Sequence, residues 1–435
     1  MPKTESPHQD LKLPDFAKSL RFLGLSSVLL FFVWQIFGGV VRWQLDLVGL
    51  TVLAYAPNVL MWLSVGLLLL LALTGRTFGP GILLMMCIIA LALLNGVYNT
   101  GSLKQSFFGL WVLIPVIFGV SYGRLLLKES QDLLLATFFL ASAGGVIVNS
   151  VMSFPWIGVS YTLGGVELEG SREWYTSGGV TRLSGFARSS FDIAGQLIVL
   201  AGLLSVSLRY FILRAMLWGL CFAAVSLSTS KGIILTLLVC YVVSEIILSR
   251  SIFTPALLRI VFLVGLFWLF LPPFLGWSFD WSKITRTDID NIFYGSFLDR
   301  MNGMWPEALE LATTHGMPLL GRGIGGIGTP LSMFEQDKAN AGDNLFVYAL
   351  VMFGIFCVPV FIAAFVGIFR LCSRDHLENP TVRRAIILSA ISIWYGGVSN
   401  IAENAILGLA LGCAASVISL AFKTPTPIPN VNVDR

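Results

Sequence analysis

Long apolar runs separated by short polar turns dominate the chain. Stretches close to the ~20 residues an α-helix needs to cross a bilayer lie near 22–41, 53–74, 81–98, 107–123, 133–151, 191–208, 215–229, 232–249, 256–276, 344–369, 385–400 and 404–422. They predict an all-α polytopic bundle of about twelve transmembrane helices. Repeated apolar runs form one continuous bundle rather than separate domains, so 22–423 reads as a single membrane domain. Segment 1–21 is polar, contains Pro2, Pro7 and Pro14, and enters the first apolar stretch without a small-residue cleavage site. It reads as a retained tail before an uncleaved helix. The Pro-rich end, 424–435, reads as a short disordered tail.

The placement of lysine and arginine orients this pattern, because cytoplasmic connections carry the excess of both. Arg76, Arg124, Lys128, Arg209, Arg214, Arg250, Arg370, Arg374, Arg383, Arg384 and Lys423 fall on alternate connections. Both termini are therefore expected in the cytoplasm. The two long connections, roughly 152–190 and 277–343, are expected to face outward, which in a bacterium is the periplasmic side of the inner membrane. Trp43, Trp156, Trp277 and Trp281 fall where an outer aromatic belt belongs.

Composition supports the solvent assignment: 56% of residues are hydrophobic and 12% charged, with a mean hydropathy of +0.82, whereas soluble domains are about a quarter charged. The net charge of +4 gives no reason to expect a nucleic-acid partner. Cys87, Cys221, Cys240, Cys357, Cys372 and Cys413 lie in the spans or at their cytoplasmic ends, so no disulfide is expected in the exported loops. His8, His315 and His376 are too scattered for a histidine metal site or a Ser-His-Asp relay.

Cations on the outward side need another reason. They are Arg172, Arg182, Arg188, Lys231, Lys283, Arg286, Arg300 and Arg322. Lys231 opens an apolar segment, where an ionisable group is either functional or snorkels to the interface. Arg182, Arg188 and Arg300 suit an anionic headgroup such as a pyrophosphate, because a guanidinium donates two parallel hydrogen bonds to phosphate oxygens. Surface ion pairs with Asp299 or Glu173 are the plainer alternative.

The loop 277–343 is too long for a mere linker. Pro306 suits the first turn of a helix to about Thr314, with Trp305, Leu309 and Ala312 on one face. Gly323, Gly325 and Gly328 fit Gly-x-Gly-x-x-Gly without the strand a dinucleotide site requires, so a turn whose amides form an anion nest is expected instead. Asp288 and Asp290 make an Asp-x-Asp pair of the kind that holds a divalent cation, a spacing common by chance, and no metal is expected. Asp343 immediately precedes an apolar span at the membrane mouth. It is either a carboxylate desolvated toward a general base's range or a helix cap.

These segments resemble a known family. "TRLSGFARSSFDIAGQL", "STSKGIIL", "DRMNGMWPEALELATTHGMPLLGRGIG" and "DNLFVYALVMFGIFC" are similar, in order and spacing, to four patterns of the O-antigen polymerase/ligase family, and the layout of spans and loops agrees. Lys231 stands where arginine is usual, and Leu235 follows it in place. Arg300, Trp305, Pro318, Gly321 and Gly323 match the family's Arg, Trp and Pro-x-x-Gly-x-Gly elements. Asn344 and Gly354 match the ligase motif, but Asp343 stands where ligases carry histidine and Cys357 where they prefer Gly, Thr or Tyr.

The resemblance implies transfer of a glycan from an undecaprenyl-diphosphate carrier to a sugar hydroxyl of a second lipid-linked repeat unit. It requires no cofactor or metal, and a flippase and a chain-length regulator are its implied partners. Arg300 and Asp343 are the implied catalytic pair, one neutralising the diphosphate and the other accepting the hydroxyl proton. Arg182, Arg188, Lys231, Trp305, Arg322 and Asn344 are the implied diphosphate and glycan contacts. Asp343 in place of histidine favours polymerisation over ligation onto lipid A-core. Asn400, Glu403 and Asn404, between the last two spans, are the feature that fits the rival reading, a transporter or flippase.

Overall fold

The computed structural model describes residues 13–73, 80–129, 131–163, 166–175, 179–228, 231–249, 251–279, 281 and 295–422. The chain is helical almost throughout. The first half carries α1 (Leu13–Ile36), α2 (Gly38–Leu47), α3 (Ala56–Leu73), α4 (Pro80–Thr100), α5 (Leu103–Val112), α6 (Ile114–Glu129) and α7 (Asp132–Val151). Next come α8 (Ser190–Ser205), α9 (Phe211–Leu227), α10 (Lys231–Ser249) and α11 (Thr254–Ser278). Short helices α12 (Gly295–Asp299), α13 (Trp305–Thr313) and α14 (Thr329–Phe334) fill the second long loop. The chain finishes with α15 (Leu345–Phe353), α16 (Cys357–Leu371), α17 (Arg374–Leu377), α18 (Pro380–Gly396) and α19 (Ala405–Ile418).

Among the described residues, eight helical segments are long and apolar enough to cross a membrane. Three of the remaining apolar runs lie on shorter apolar helices, Leu84–Thr100, Ser190–Ser205 and Phe211–Leu227. The run at 385–400 lies on α18, 17 residues long with Arg383 and Arg384 in its first turns. Large apolar side chains such as Leu70, Phe211, Phe267 and Ile362 face outward, more than half exposed. Water would penalise that surface, whereas lipid tails cover it without cost. The protein is a helical membrane protein.

Small residues bring the central helices together. Gly119 on α6 lies against Gly412 on α19, while Gly123 meets Cys413 and Ser416 and Gly408 meets Val116, so two Gly-x-x-x-Gly motifs line one seam. A Cβ at Gly119 would come within 2.9 Å of Gly412 Cα, and one at Gly412 would overlap the Val116 carbonyl. Such pairs let two backbones touch where the hydrophobic effect between lipid-facing helices is weak.

Hydrogen bonds define two ends of the bundle. At one end Arg384 donates to Leu127 O (2.8 Å) and Asp132 Oδ1 (3.1 Å), and Arg214 grips both oxygens of Glu245 at 2.7 Å. Arg124 donates to Ser416 O, and Arg370 to Ala421 O. Four of the basic residues that the charge rule grouped together, Arg124, Arg214, Arg370 and Arg384, are thus ties at one end. The opposite end gathers the end of α7, the starts of α8, α10, α15 and α19, and both long loops. There Gly185 N donates to Asn149 Oδ1 and Trp277 Nε1 to Trp305 O.

The described residues of the loop before α8 are not helical and depart from the all-α expectation. They carry two antiparallel hairpins, β1 (Ser160–Leu163) with β2 (Val166–Glu169), and β3 (Trp174–Tyr175) with β4 (Thr181–Arg182). Alternating apolar and polar residues around Gly164-Gly165 are a hairpin signal legible in the sequence.

In the second loop Pro306 does sit in the first turn of a helix, α13, as expected. Trp305, Ala308, Leu311 and Ala312 form its buried face, with Leu309 only half-buried. A π-helical turn, Arg300–Met304, precedes it.

The glycine-rich stretch that follows is a wedge, not an anion nest. Its amides are already committed: Arg322 N to Val351 O, Gly323 N to Met352 O and Ile324 N to Ala92 O, at 2.6, 3.1 and 2.9 Å. Gly323 has φ +83°, and a Cβ there would overlap the Gly96 backbone. Gly323→Ala is accordingly expected to lower stability by more than about 1 kcal/mol, measurable as an earlier thermal transition of the detergent-solubilised protein.

Candidate functional site

The short turn 397–404, between α18 and α19, is where the elements bearing the outward cations converge. Asn404 caps α19 by accepting from Leu407 N and donates from Nδ2 to Asp192 Oδ1 at the start of α8 (3.0 Å). Val398 packs against Gly232, next to Lys231. Asn400 donates to Ala341 O, two residues before Asp343. Glu403 accepts from Thr329 N (2.9 Å), Thr329 Oγ1 (2.6 Å) and Tyr348 Oη (2.9 Å). Burial pushes its carboxyl above the ordinary range, against hydrogen bonds from Thr329, Tyr348 and Asn400 that pull it down. The residues that gave the transport reading its support are thus ties within the mouth of the bundle.

The two candidate catalytic residues lie against each other. Arg300, at the start of the π-helical turn, donates from Nε (3.2 Å) and Nη2 (2.8 Å) to the same oxygen of Asp343. The side chains retain 20% and 25% of their exposure, so the couple faces the mouth. The alternative partner expected for Arg300, Asp299, is not the one used. Nor does Asp343 cap the following helix: its neighbour Asn344 does, accepting from Phe346 N (2.8 Å) and Val347 N (3.1 Å). Asp343 is therefore held at the helix start with its carboxylate committed to a guanidinium rather than to backbone.

Three residues assigned to substrate by resemblance have structural work instead. Asn344 is fully buried, and its Nδ2 donates to Leu269 O and Gly397 O. With both lone-pair directions of Oδ1 also used, it has no capacity left for a glycan. Trp305 is completely buried, edge-on to Phe297, and cannot present a stacking face to a sugar. Arg322 is 1% exposed and is bound by Glu335 (2.6 Å) and Gly326 O (3.1 Å). In each case a residue type that suits a ligand also suits a buried polar junction, and only packing tells them apart.

The remaining cations fall into two groups, and no hydrogen bond or ion pair among the described residues joins either to Arg300. Arg182, on β4, lies over the Phe191 ring (5.4 Å) and within electrostatic reach of exposed Lys231. Arg188 lies instead beside Arg42 of α2, a residue the sequence reading passed over because it sits at the end of the first apolar run. The Gly38-Gly39 pair makes this possible. Gly39 N donates to Phe186 O (2.9 Å), and a Cβ at Gly39 would come within 2.7 Å of the Trp156 ring. Trp43, Trp156 and Phe154 stack around this junction, so two of the belt tryptophans serve as packing here.

Among the described residues no group of three metal-ligating side chains is present. Lys283, Arg286, Asp288 and Asp290 lie outside the described residues, as do the 1–12 and 423–435 segments with Arg76 and Arg250. All six cysteines are unpaired. An apolar crevice of about 290 Å³, lined by Leu25, Phe32, Leu134, Phe138, Leu203 and Leu409, lies between helices rather than at the charged mouth. No protein-family model, no curated protein and no solved structure matches the chain.

Proposed function

We propose that this protein is a polysaccharide polymerase. On this reading it transfers a glycan from an undecaprenyl-diphosphate carrier to a sugar hydroxyl of another lipid-linked repeat unit, at the periplasmic face of a bacterial inner membrane. The observation that supports it most is the Arg300–Asp343 couple at the mouth of a membrane bundle, a cation for a departing diphosphate touching a carboxylate for a proton. The split of basic residues between the two ends supports a reading with about twelve spans, cytoplasmic termini, and the mouth and both long loops outside.

The chemistry needs no resident cofactor. The acceptor hydroxyl oxygen attacks the anomeric carbon and the carbon–oxygen bond to the diphosphate breaks with its electron pair. The diphosphate carries that charge away, and the proton passes to the Asp343 carboxylate. A diphosphate binding Arg300 competes with Asp343 for the same fork, so donor binding releases the carboxylate as transfer begins. A preorganised guanidinium acts on the charge that develops in the transition state.

Product analysis in cells tests the reading against ligation. Loss of a polymerase leaves single repeats on the acceptor, whereas loss of a ligase leaves long chains on the carrier, and the second pattern would replace polymerisation by ligation. Asp343→Asn keeps the shape and removes the proton acceptor. We expect a fall in turnover of about 100-fold or more with donor binding retained. Full turnover in that variant would remove Asp343 from the mechanism.

A further inference from the structure

Two guanidinium groups brought together in a half-buried place repel each other, and a fold that maintains such a pair needs a compensating anion. Arg42 and Arg188 form such a pair. A Cβ on Gly38 would sit 3.5 Å from Arg42 Nη1 and 3.6 Å from Arg188 N, so the two residues flank the same glycine with their charges in electrostatic reach of each other. Arg188 holds its proton less tightly than an ordinary arginine, because it is buried and because Arg42 and Arg172 lie close. Its Nε is buried without a hydrogen-bond partner. Among the described residues neither Arg42 nor Arg188 forms an ion pair.

The carboxylates nearby are engaged elsewhere. Asp192, the one that favours the charge on Arg188, accepts from Ser189 Oγ (2.8 Å) and Asn404 Nδ2 (3.0 Å). Glu169 is ion-paired with Arg172. Tyr55 lies near Tyr161 and near both arginines, adding neutral hydroxyls that suit phosphate oxygens.

We infer that Arg42 and Arg188, with Arg172 and the Tyr55–Tyr161 hydroxyls at the rim, form a second diphosphate site, separate from Arg300, that holds the headgroup of the acceptor lipid. The assignment to an acceptor rests on the polymerase reading, in which both substrates carry a lipid diphosphate. A ligase acting on a different acceptor would need only one such site. The 397–404 turn touches Asp192 near one site and Ala341 near the other.

The test is calorimetric titration of the full-length protein in detergent with inorganic diphosphate and, separately, with geranylgeranyl diphosphate. Wild type is expected to take two equivalents of each. Arg42→Gln should weaken one of them by at least about tenfold, Arg172→Gln should weaken the same one several-fold, and Arg300→Ala should weaken only the other. Tighter binding of the lipid than of inorganic diphosphate at the Arg42 site supports a headgroup there. Binding of inorganic diphosphate alone overturns the lipid assignment.

Unchanged titrations in both Arg42→Gln and Arg172→Gln overturn the site, as does loss of one and the same equivalent in Arg42→Gln and Arg300→Ala. If glycan transfer proceeds with one diphosphate bound, the second site falls and the polymerase reading stands. If two equivalents bind in this pattern and no lipid-linked saccharide is transferred, the site stands and the reading falls.

Discussion

Arg300→Ala is expected to lower chain growth by roughly 100-fold, the loss typical of removing one preorganised donor from a developing oxyanion. The variant takes away both hydrogen bonds to Asp343 along with the cation. The measurement is polymer length and initial rate in membranes whose protein content matches wild type. Arg300→Lys separates charge from geometry, because a lysine keeps the charge but cannot donate in parallel from a planar fork. It should recover only part of the rate. Near-normal chain length in Arg300→Ala would remove this residue from catalysis and with it the main support for the polymerase reading.

Arg322→Ala has the second large expected effect, and it is an effect on folding. Removing one member of a buried ion pair costs about 3–5 kcal/mol, because the other is left as an uncompensated buried charge. Here Glu335, 17% exposed, would keep only Gln105 Nε2 and Lys338 Nζ as partners, and Gly326 O would lose its donor. The expected result is little folded protein in detergent and an early thermal transition. Burial alone would push the Glu335 carboxyl up, but hydrogen bonds from Gln105 and Arg322 and the Arg322 charge outweigh it and hold the carboxyl below its usual value. The pair's contribution is therefore complete above the ordinary carboxylate pKa and fades as pH falls through the depressed one. An Arg322→Ala protein that folds like wild type yet loses activity would restore the residue to the substrate site.

These two arginines show where sequence reading stops. Both occupy the loop 277–343, both lie in the stretch that carries the family-like pattern, and neither residue type nor neighbours separate a tie from a ligand contact. Arg300 lies on a π-helical turn with its head toward the mouth, and Arg322 lies beneath a glycine wedge driven against α4 and α5. Burial of that kind depends on residues more than two hundred positions away, Gly96 and Gln105 among them. Arg42 was missed for the converse reason: a lone arginine ending an apolar run looks like an interface anchor until Phe186 and Trp156 draw α2 down beside Arg188. The β1–β2 pairing and the Gly-x-x-x-Gly motifs of α6 and α19 had local signals, and so were legible in the sequence.

The amino-acid string by itself determined the solvent, the helical class, the places where apolar runs begin and end, and the division of basic residues into two sets. Those follow from properties summed over about twenty neighbouring residues, and each neighbour adds its transfer energy independently. Which polar side chain is a tie and which faces the mouth was decided only in three dimensions. A guanidinium or amide has the same hydrogen-bonding capacity in either place, and the number of donors and acceptors that the folded chain brings to it settles whether any remain for a ligand.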